Sequence, residues 1–458
     1  MGILTFLISI VKSVFIPVLY FGGLFTCLLT ILKRAEWGFF LMVALIPQPN
    51  IFYKLYDFPM GQNFLDVLFI SVLIGIIINK KKFVITGNAI LIGLFLLISY
   101  LALWNSSTNF SLPAPITTKN ALLVQWKSYA VMIFMYYLAL NISKDENQHK
   151  ILIMIMAIVI FFISLQNYRG FTAGIDFSEG SRTAGPFETV GLNSNHFGAF
   201  IVSYCSLLLG LLLFDQDKWR RLLFLAAIVL GLHPLFFSYS RGAYLAAIGV
   251  LVFFGLAKKR SLLILAFVLF ISWQTLLPSS VVDRIKMTRS GSGELESSAA
   301  VRLDLWNHAV KLFEKNPIFG VGFGGFQFTV PKGIEFKDTH NLYLKILSEQ
   351  GIIGISLLLL IFVMALRSGQ RLYKTAQTPF QKGLGFGFLG CIIAFIITNM
   401  FGDRWSYFVL GDYFWITWGL VDRGILIAEA SKQRAELIEN TAPVDKNVYQ
   451  KAEGGRNA

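Results

Sequence analysis

Apolar residues arrive in blocks of roughly 17–22 along almost the whole chain, each long enough to cross a ~30 Å hydrocarbon core as helix. The blocks predict thirteen membrane helices, near 13–32, 36–53, 64–79, 88–105, 121–141, 151–166, 196–214, 220–237, 240–257, 261–277, 350–367, 384–401 and 404–422. Two long polar connections interrupt them, 166–195 and 277–349. In the second, Val301, Leu305, Ala309, Leu312 and Phe313 recur at helical spacing, which predicts an amphipathic helix over 300–316 on the membrane surface or on the bundle. The run Gly320-Val321-Gly322-Phe323-Gly324-Gly325 follows and reads as a flexible turn that folds the loop over a site. No strand precedes it and its spacing is wrong for a dinucleotide fingerprint. Asp338-Thr339-His340-Asn341 then opens a helix through Leu342, Tyr343, Ile346 and Leu347, with Asp338 or Thr339 as its cap. The pattern predicts an all-α polytopic integral membrane protein of about 12–13 transmembrane helices with one large extracytoplasmic loop.

Composition agrees. The chain has 458 residues, 55% of them hydrophobic and 14% charged, far more apolar than a soluble domain. Its net charge of +14 is therefore a topology signal and implies no nucleic acid. Lys33-Arg34, Lys80-Lys81-Lys82, Lys218 with Arg220-Arg221, Lys258-Lys259-Arg260 and the stretch from Arg367 to Lys382 fall on one side, cytoplasmic by the positive-inside rule. That leaves 166–195 and 277–349 outside. Thirteen spans place the N-terminus outside; a hairpin around Pro17 in the first 32 residues places it inside. Met1–Val11 lacks a charged n-region and a cleavage site, so it is expected to be retained. The expected organisation is a transmembrane domain over 1–423, with its extracytoplasmic loop at 278–349, and a cytoplasmic, partly disordered tail over 424–458. Cys27, Cys205 and Cys391 lie in separate apolar runs and read as core residues. No internal repeat or pair of matching broken helices is visible, which weighs against a secondary transporter.

The residues able to carry chemistry cluster on the outer side. In the first turn of its helix His340 would feel the positive end of the dipole, which disfavours imidazolium and suits general-base work; a capping or interfacial histidine is the plainer alternative. Arg182 stands just ahead of Asn193-Ser194-Asn195-His196, Arg241 at the outer mouth of a span, and Arg302 near the start of the amphipathic segment. Arginines at the membrane boundary beside helix N-termini make a phosphate-binding arrangement, although any one of them can also snorkel or pair with an acid. Packing suffices for Trp306 and His308. Asp215-Gln216-Asp217 has the spacing of a metal-binding acidic pair but reads as a solvated cytoplasmic loop, and Asp403-Arg404 as a structural ion pair on a short outer turn. Lys127 can snorkel, and no metal site is expected on the outer face.

Taken in order, these motifs resemble the O-antigen ligase and O-antigen polymerase superfamily of bacterial envelope enzymes. The resemblance rests on Gly185-Pro186-Phe187 with Asn193-Ser194-Asn195-His196-Phe197-Gly198, and on Ser240-Arg241-Gly242-Ala243. It continues through Arg302-Leu303-Asp304-Leu305-Trp306 into Asn316-Pro317-Ile318-Phe319-Gly320-Val321-Gly322. It ends on Thr339-His340-Asn341-Leu342-Tyr343-Leu344 and Glu349-Gln350-Gly351-Ile352-Ile353-Gly354, so it covers about residues 182–360. The resemblance implies a helical glycosyltransferase of the GT-C type in the bacterial inner membrane, with its site on the periplasmic face. It further implies transfer of a glycan from an undecaprenyl-diphosphate carrier to a hydroxyl of lipid A–core, another glycan, or another lipid or protein. The chemistry it implies is inverting and metal-independent, with no cofactor. His340 would be the base, Arg182, Arg241 and Arg302 would bind the diphosphate, and Asn195 and Asn341 would orient substrate. A ligase and a polymerase differ in acceptor alone, and the His340 region is closer to the ligase pattern. A lipid-linked glycan flippase would instead line a midplane cavity with basic residues, and a scaffold would use the loop only for contacts.

Overall fold

The computed structural model describes residues 2–79, 83–170, 182–276, 278–286, 297–330 and 338–441, with side chains masked at a few helix ends. The chain is helical throughout these stretches: α1 Gly2–Leu32, α2 Ala35–Leu45, α3 Pro49–Phe52, α4 Phe64–Ile78, α5 Gly87–Asn109, α6 Ala121–Ile142, α7 Glu146–Gly170 and α8 Ser194–Leu212. It continues with α9 Lys218–Phe237, α10 Arg241–Ala257, α11 Ser261–Leu276, α12 Ser279–Lys286, α13 Ser297–Lys315, α14 Leu342–Thr375, α15 Pro379–Asn399 and α16 Phe408–Thr441. Each of the thirteen predicted membrane segments overlaps helix, although 36–53 is divided between α2 and α3 and 404–422 begins ahead of α16. Among the described residues, eight helices are long and apolar enough to cross a membrane, or nine if α11 and α12, bent by 92°, form one broken span. The protein is an all-α polytopic membrane protein.

Length accounts for three of the five segments missing from the eight: at 11, 17 and 16 residues, α2, α10 and α11 are shorter than the ~20 that a straight crossing needs. The other two, α6 with 22 residues and α16 with 34, are long enough but are not among the eight. Helix α1 runs unbroken through Pro17 rather than folding into a hairpin there. Helix α16 continues past the expected boundary at 423 as far as Thr441, and the rest of the tail lies outside the described residues, as do Lys80, Lys81 and Lys82.

The middle of the bundle is α8 against α15. Gly210 faces Gly387 there, and a Cβ on Gly210 would sit 2.2 Å from the Gly387 Cα, so only glycine lets the two backbones touch. Around them, Trp405, Trp415 and Trp418 form a buried aromatic stack with Phe414. The acidic pair is not a solvated loop: buried Asp215 takes both a 2.7 Å and a 2.8 Å hydrogen bond from Arg220, and Asp217 caps α9 by accepting from the Arg220 amide. Lys127 ends in a 2.6 Å ion pair with Asp66.

The glycine-rich run is no loose turn. Its backbone is strapped to a break in α14, with Val321 N–H donating to Ser348 O at 2.9 Å and Gly322 N–H to Glu349 O at 2.8 Å. Phe323 N–H donates to Ala102 O at 3.0 Å, and Ile352 N–H donates back to Pro317 O at 2.8 Å. The break is Gly351, at φ 63° and ψ −159°, where a Cβ would also lie 2.3 Å from Ile318 O. That region of backbone space is open essentially to glycine alone.

The amphipathic segment is α13, and its predicted stripe is the buried one. Leu305 and Ala309 are buried against Phe326, with Val301, Leu312 and Leu344 packed around them. Burying a leucine of this kind stabilises by about 1.5–3 kcal/mol. Replacing Gly351 by Ala is therefore expected to destabilise the purified protein by about 2 kcal/mol or more, read as a lower unfolding midpoint in detergent. An unchanged midpoint would mean that the strap is not anchored at this break.

Candidate active site

Four helix ends meet at one end of the bundle, and each brings a basic residue. Arg241 is the first residue of α10, whose cap Ser240 accepts from Ala243 N–H at 3.4 Å. Ahead of it, Tyr239 takes a left-handed turn at φ 50°, and its hydroxyl donates to Ser280 Oγ at 2.9 Å. That bond ties down α12, the bent arm after α11, which carries the buried Arg284. Arg182 is held by Asn195, whose Oδ1 accepts from the guanidinium at 2.8 Å, and by the Ser238 carbonyl at 3.4 Å. Asn193 begins α8 with a capping box in which its Oδ1 and His196 Nδ1 lie 2.8 Å apart.

The fourth element is the pair α13 and α14. Trp306 on α13 donates its indole N–H to the Thr339 carbonyl at 2.9 Å, which fixes Arg302, four residues earlier, beside the His340 turn. Asn341, not Asp338 or Thr339, caps α14, its Oδ1 accepting from Leu344 N–H at 3.1 Å. His340 therefore precedes the helix instead of sitting in its first turn, and it adopts φ 51°, a conformation costly for a non-glycine residue. Asn341 spends its side chain on the cap and does not line the cavity described next.

Arg182, Asn193, Asn195, Tyr239, Arg241, Arg284, Arg302, His340 and Arg404 meet around a cavity of about 180 Å³, closed on one side by Val301. All three arginines, the histidine and Asn195 expected from the sequence are thus gathered at one place. Two more arginines join them. Arg284 lay unmarked in the long polar connection, and its signal was the short amphipathic run Val281-Val282-Asp283-Arg284. Arg404 was expected to pair with Asp403, but the two part company. Asp403 takes a 2.7 Å ion pair from Lys345 and accepts from the Trp405 and Ser406 amides at 3.0 and 2.9 Å. The Arg404 guanidinium turns to the cavity instead.

Electrostatics follow from this crowding. Burial lowers His340 below the usual 6.5, and the nearby Arg302 and Arg404 push it the same way. Asp338 opposes them, its Oδ2 4.0 Å from His340 Nδ1. Burial first, and then neighbouring cations, rather than a helix dipole, favour the neutral imidazole. Burial brings Arg404 down to about 10, so it stays charged near neutrality. Burial would raise Asp403, but Lys345 and the hydrogen bonds it accepts hold it below its ordinary value. Five guanidinium groups at one cavity, where none of the lining residues described is acidic, create a strong site for an anion with several oxygens.

A second cavity of about 340 Å³ shares Asn195, Arg241, Arg302 and Arg404 with the first. Ala199, Ala243, Leu303, Trp306 and Phe401 make it chiefly apolar. Trp306 thus does more than pack. His308 bonds Thr329 Oγ1 at 3.1 Å and lines neither cavity.

Comparison with known proteins fits this geometry. No curated protein matches the chain. The family model described as O-antigen ligase matches residues 226–359, from within α9 into α14, a stretch that contains Arg241, Arg284, Arg302 and His340 but neither Arg182 nor Arg404. Over that stretch, 134 of its 458 residues, this multi-pass membrane protein is similar to an O-antigen ligase domain, which supports the O-antigen ligase and polymerase superfamily that the motifs resemble.

Proposed function

We propose that the chain transfers a glycan from an undecaprenyl-diphosphate carrier to an acceptor hydroxyl at the outer face of the bacterial inner membrane, in the manner of an O-antigen ligase. The observation that carries the reading is the joining of the two cavities. One gathers five arginines and a histidine held below its usual pKa; the other, chiefly apolar, shares three of those arginines, Arg241, Arg302 and Arg404. A diphosphate on a polyprenyl chain has this polarity, with anionic oxygens at one end and hydrocarbon at the other.

In the proposed reaction, neutral His340 takes the proton of the acceptor hydroxyl as its oxygen attacks the anomeric carbon from the side opposite the diphosphate. The glycosidic C–O bond to the carrier breaks, the configuration inverts, and undecaprenyl diphosphate leaves with the electron pair. Arg182, Arg241, Arg284, Arg302 and Arg404 stabilise the charge that grows on the leaving oxygens. This is the work a divalent cation does in other transferases, so the reaction is proposed to need none. Asn195 acts by holding Arg182. The acceptor is proposed to be lipid A–core, another glycan, or another lipid or protein. The loop over 278–349 is proposed as extracytoplasmic, with the tail after 423 cytoplasmic.

Three outcomes are expected. In a purified transfer assay, His340→Ala and Arg241→Ala each lower the rate by on the order of 10²–10³, while a chelator leaves the wild type unchanged. Cells carrying either variant at normal level accumulate finished polymer on the carrier. Single repeats there would instead assign a polymerase, and full activity of both variants would remove the site assignment.

The pH profile carries a sign. A base must be neutral to act, and His340 lies below the usual 6.5, so the rate should stay level from pH 8 down to about 6.5 and fall tenfold per unit only below its pKa. A midpoint above 6.5 that disappears in His340→Gln would contradict a depressed base.

Arg404→Gln should weaken binding of undecaprenyl diphosphate by about tenfold, the value of one charge-assisted contact, without lowering the unfolding midpoint, because Asp403 pairs with Lys345. Unchanged affinity would take Arg404 out of the anion site.

A further inference from the structure

The connection between α12 and α14 starts and ends at the arginine cavity, because Arg284 and His340 both line it. Between them, the strap over 317–323 runs down the side of the bundle. Phe323 N–H reaches Ala102 O on α5, the Phe323 ring meets Tyr129 of α6 at 5.7 Å, and Pro317 O takes Ile352 N–H beside the break in α14. Counted from the ends of these helices away from the arginine cavity, the contacts fall at similar heights. Basic residues mark two of those ends, Lys144 just past α6 and Arg367, the first charged residue after the break in α14. Ala102 stands 15 residues from Gly87, Tyr129 13 from Ile142, and Gly351 16 from Arg367. At ~1.5 Å per residue these are about 22, 20 and 24 Å. A hydrocarbon core of ~30 Å therefore continues roughly 6–10 Å beyond the strap, and any tilt of the helices adds to that depth.

Backbone inside hydrocarbon has no water to bond, so it persists only where the protein satisfies it. Gly320, Val321 and Gly322 meet that condition in full. Their N–H groups donate to Asn316 O, Ser348 O and Glu349 O at 3.0, 2.9 and 2.8 Å. Their carbonyls accept from Asn105 Nδ2 at 3.1 Å, Asn109 Nδ2 at 3.3 Å and Gly325 N–H at 2.9 Å. A turn standing in water has no need of two asparagines committed to its carbonyls. The side chains change character at the same place. Lys311, Glu314 and Lys315 at the end of α13 are exposed and charged; Ile318 and Phe319, 55% and 63% exposed, follow at once. Leu101 of α5 and Ile352 of α14, at the level of the strap's bonds, are exposed as well. Ile318 and Phe319 thus extend the apolar outer surface of two helices that are long and apolar enough to cross a membrane.

We infer that 317–323 is a re-entrant segment, with Ile318 and Phe319 among the acyl chains of the leaflet on the arginine side. What covers this surface is lipid hydrocarbon, as it is for Leu101 and Ile352 beside it. Lys311 and Lys315, just before the dip, keep their ammonium groups at the water boundary. The insertion pins the end of α13 to the membrane, and with it Leu303 and Trp306, which line the apolar cavity. The inference does not depend on the proposed reaction. It narrows the extracytoplasmic part of 278–349 to the segments on either side of the strap.

The test is nitroxide accessibility in the full-length protein, reconstituted in phosphatidylcholine vesicles with Cys27, Cys205 and Cys391 replaced by alanine. A label on Ile318→Cys or Phe319→Cys should collide with oxygen, which enters hydrocarbon, far more often than with a water-soluble nickel chelate. The ratio should match that at Leu101→Cys. It should exceed that at Glu314→Cys by about tenfold, the value of keeping a polar complex out of hydrocarbon. The wild type supplies a second measurement that needs no substitution. An apolar diazirine dissolved in the bilayer and photolysed to a carbene should modify Ile318 and Phe319 as it does Leu101, read by mass spectrometry of the fragments. Labels at Ile318 and Phe319 that behave like the one at Glu314 overturn the proposal. So does a wild type whose strap stays unmodified while Leu101 is modified, whether or not the cysteine variants fold.

Discussion

The ion pair between the half-buried Lys345 and the fully buried Asp403 holds the candidate site together. Lys345 lies in the first turns of α14, just after His340, and Asp403 lies in the turn between α15 and α16, just before Arg404. The 2.7 Å contact therefore fixes the distance between the proposed base and one of the anion-binding arginines, though neither takes part in it. Removing Lys345 from a fully buried pair would cost about 3–5 kcal/mol, an upper bound here, because Asp403 stays buried and charged while Lys345 is partly exposed. The Trp405 and Ser406 amides saturate the rest of the carboxylate. Arg404 is thereby released from its neighbour in sequence and faces the cavity.

The same economy of partners recurs around the site. Asn195 is committed to Arg182, Asn341 to the start of α14, Tyr239 to α12 and Trp306 to Thr339. Each of these bonds is worth only about 1 kcal/mol net. Together they leave five guanidinium groups and an imidazole few ways to move apart, even though they come from α10, α12, α13 and three connecting turns. Like charges held close repel, and that cost is recovered when a polyanion binds. Anion affinity is thus stored in the folded arrangement rather than assembled on binding.

Much of this was legible in the chain itself. Apolar blocks marked the helices of the bundle, eight or nine of which are long and apolar enough to cross a membrane among the described residues, and the stripe Val301, Leu305, Ala309 and Leu312 marked both the existence of α13 and its buried face. Arg182, Arg241, Arg302, Asn195 and His340 stood out because arginines and a histidine at the ends of greasy runs are expensive to keep without a role. What could not be read was pairing across long separations. Asp403 beside Arg404 suggests an ion pair from adjacency alone, and only the fold brings Lys345 to it across 58 residues. Arg284 sat in polar surroundings that gave it no contrast. The glycine run misled for a related reason: glycine reports permissive backbone, and the partner it meets, the break at Gly351, decides whether the result is a hinge or a strap.

His340 shows how that strap bears on chemistry. A histidine at φ 51° costs on the order of 1–3 kcal/mol and persists only where its neighbours over-determine it. Here they do: Thr339 Oγ1 accepts from Asn341 N–H at 3.2 Å, the Thr339 carbonyl accepts from Trp306, and Asn341 caps α14. Further along, the strap holds the Ser348 and Glu349 carbonyls, so α14 cannot shift to relieve the turn. With the backbone pinned on both sides, the turn holds the imidazole at the cavity. Asp338 at 4.0 Å is too distant to fix it tightly. A base oriented by a close carboxylate would have its pKa raised, against the direction that burial, Arg302 and Arg404 impose here.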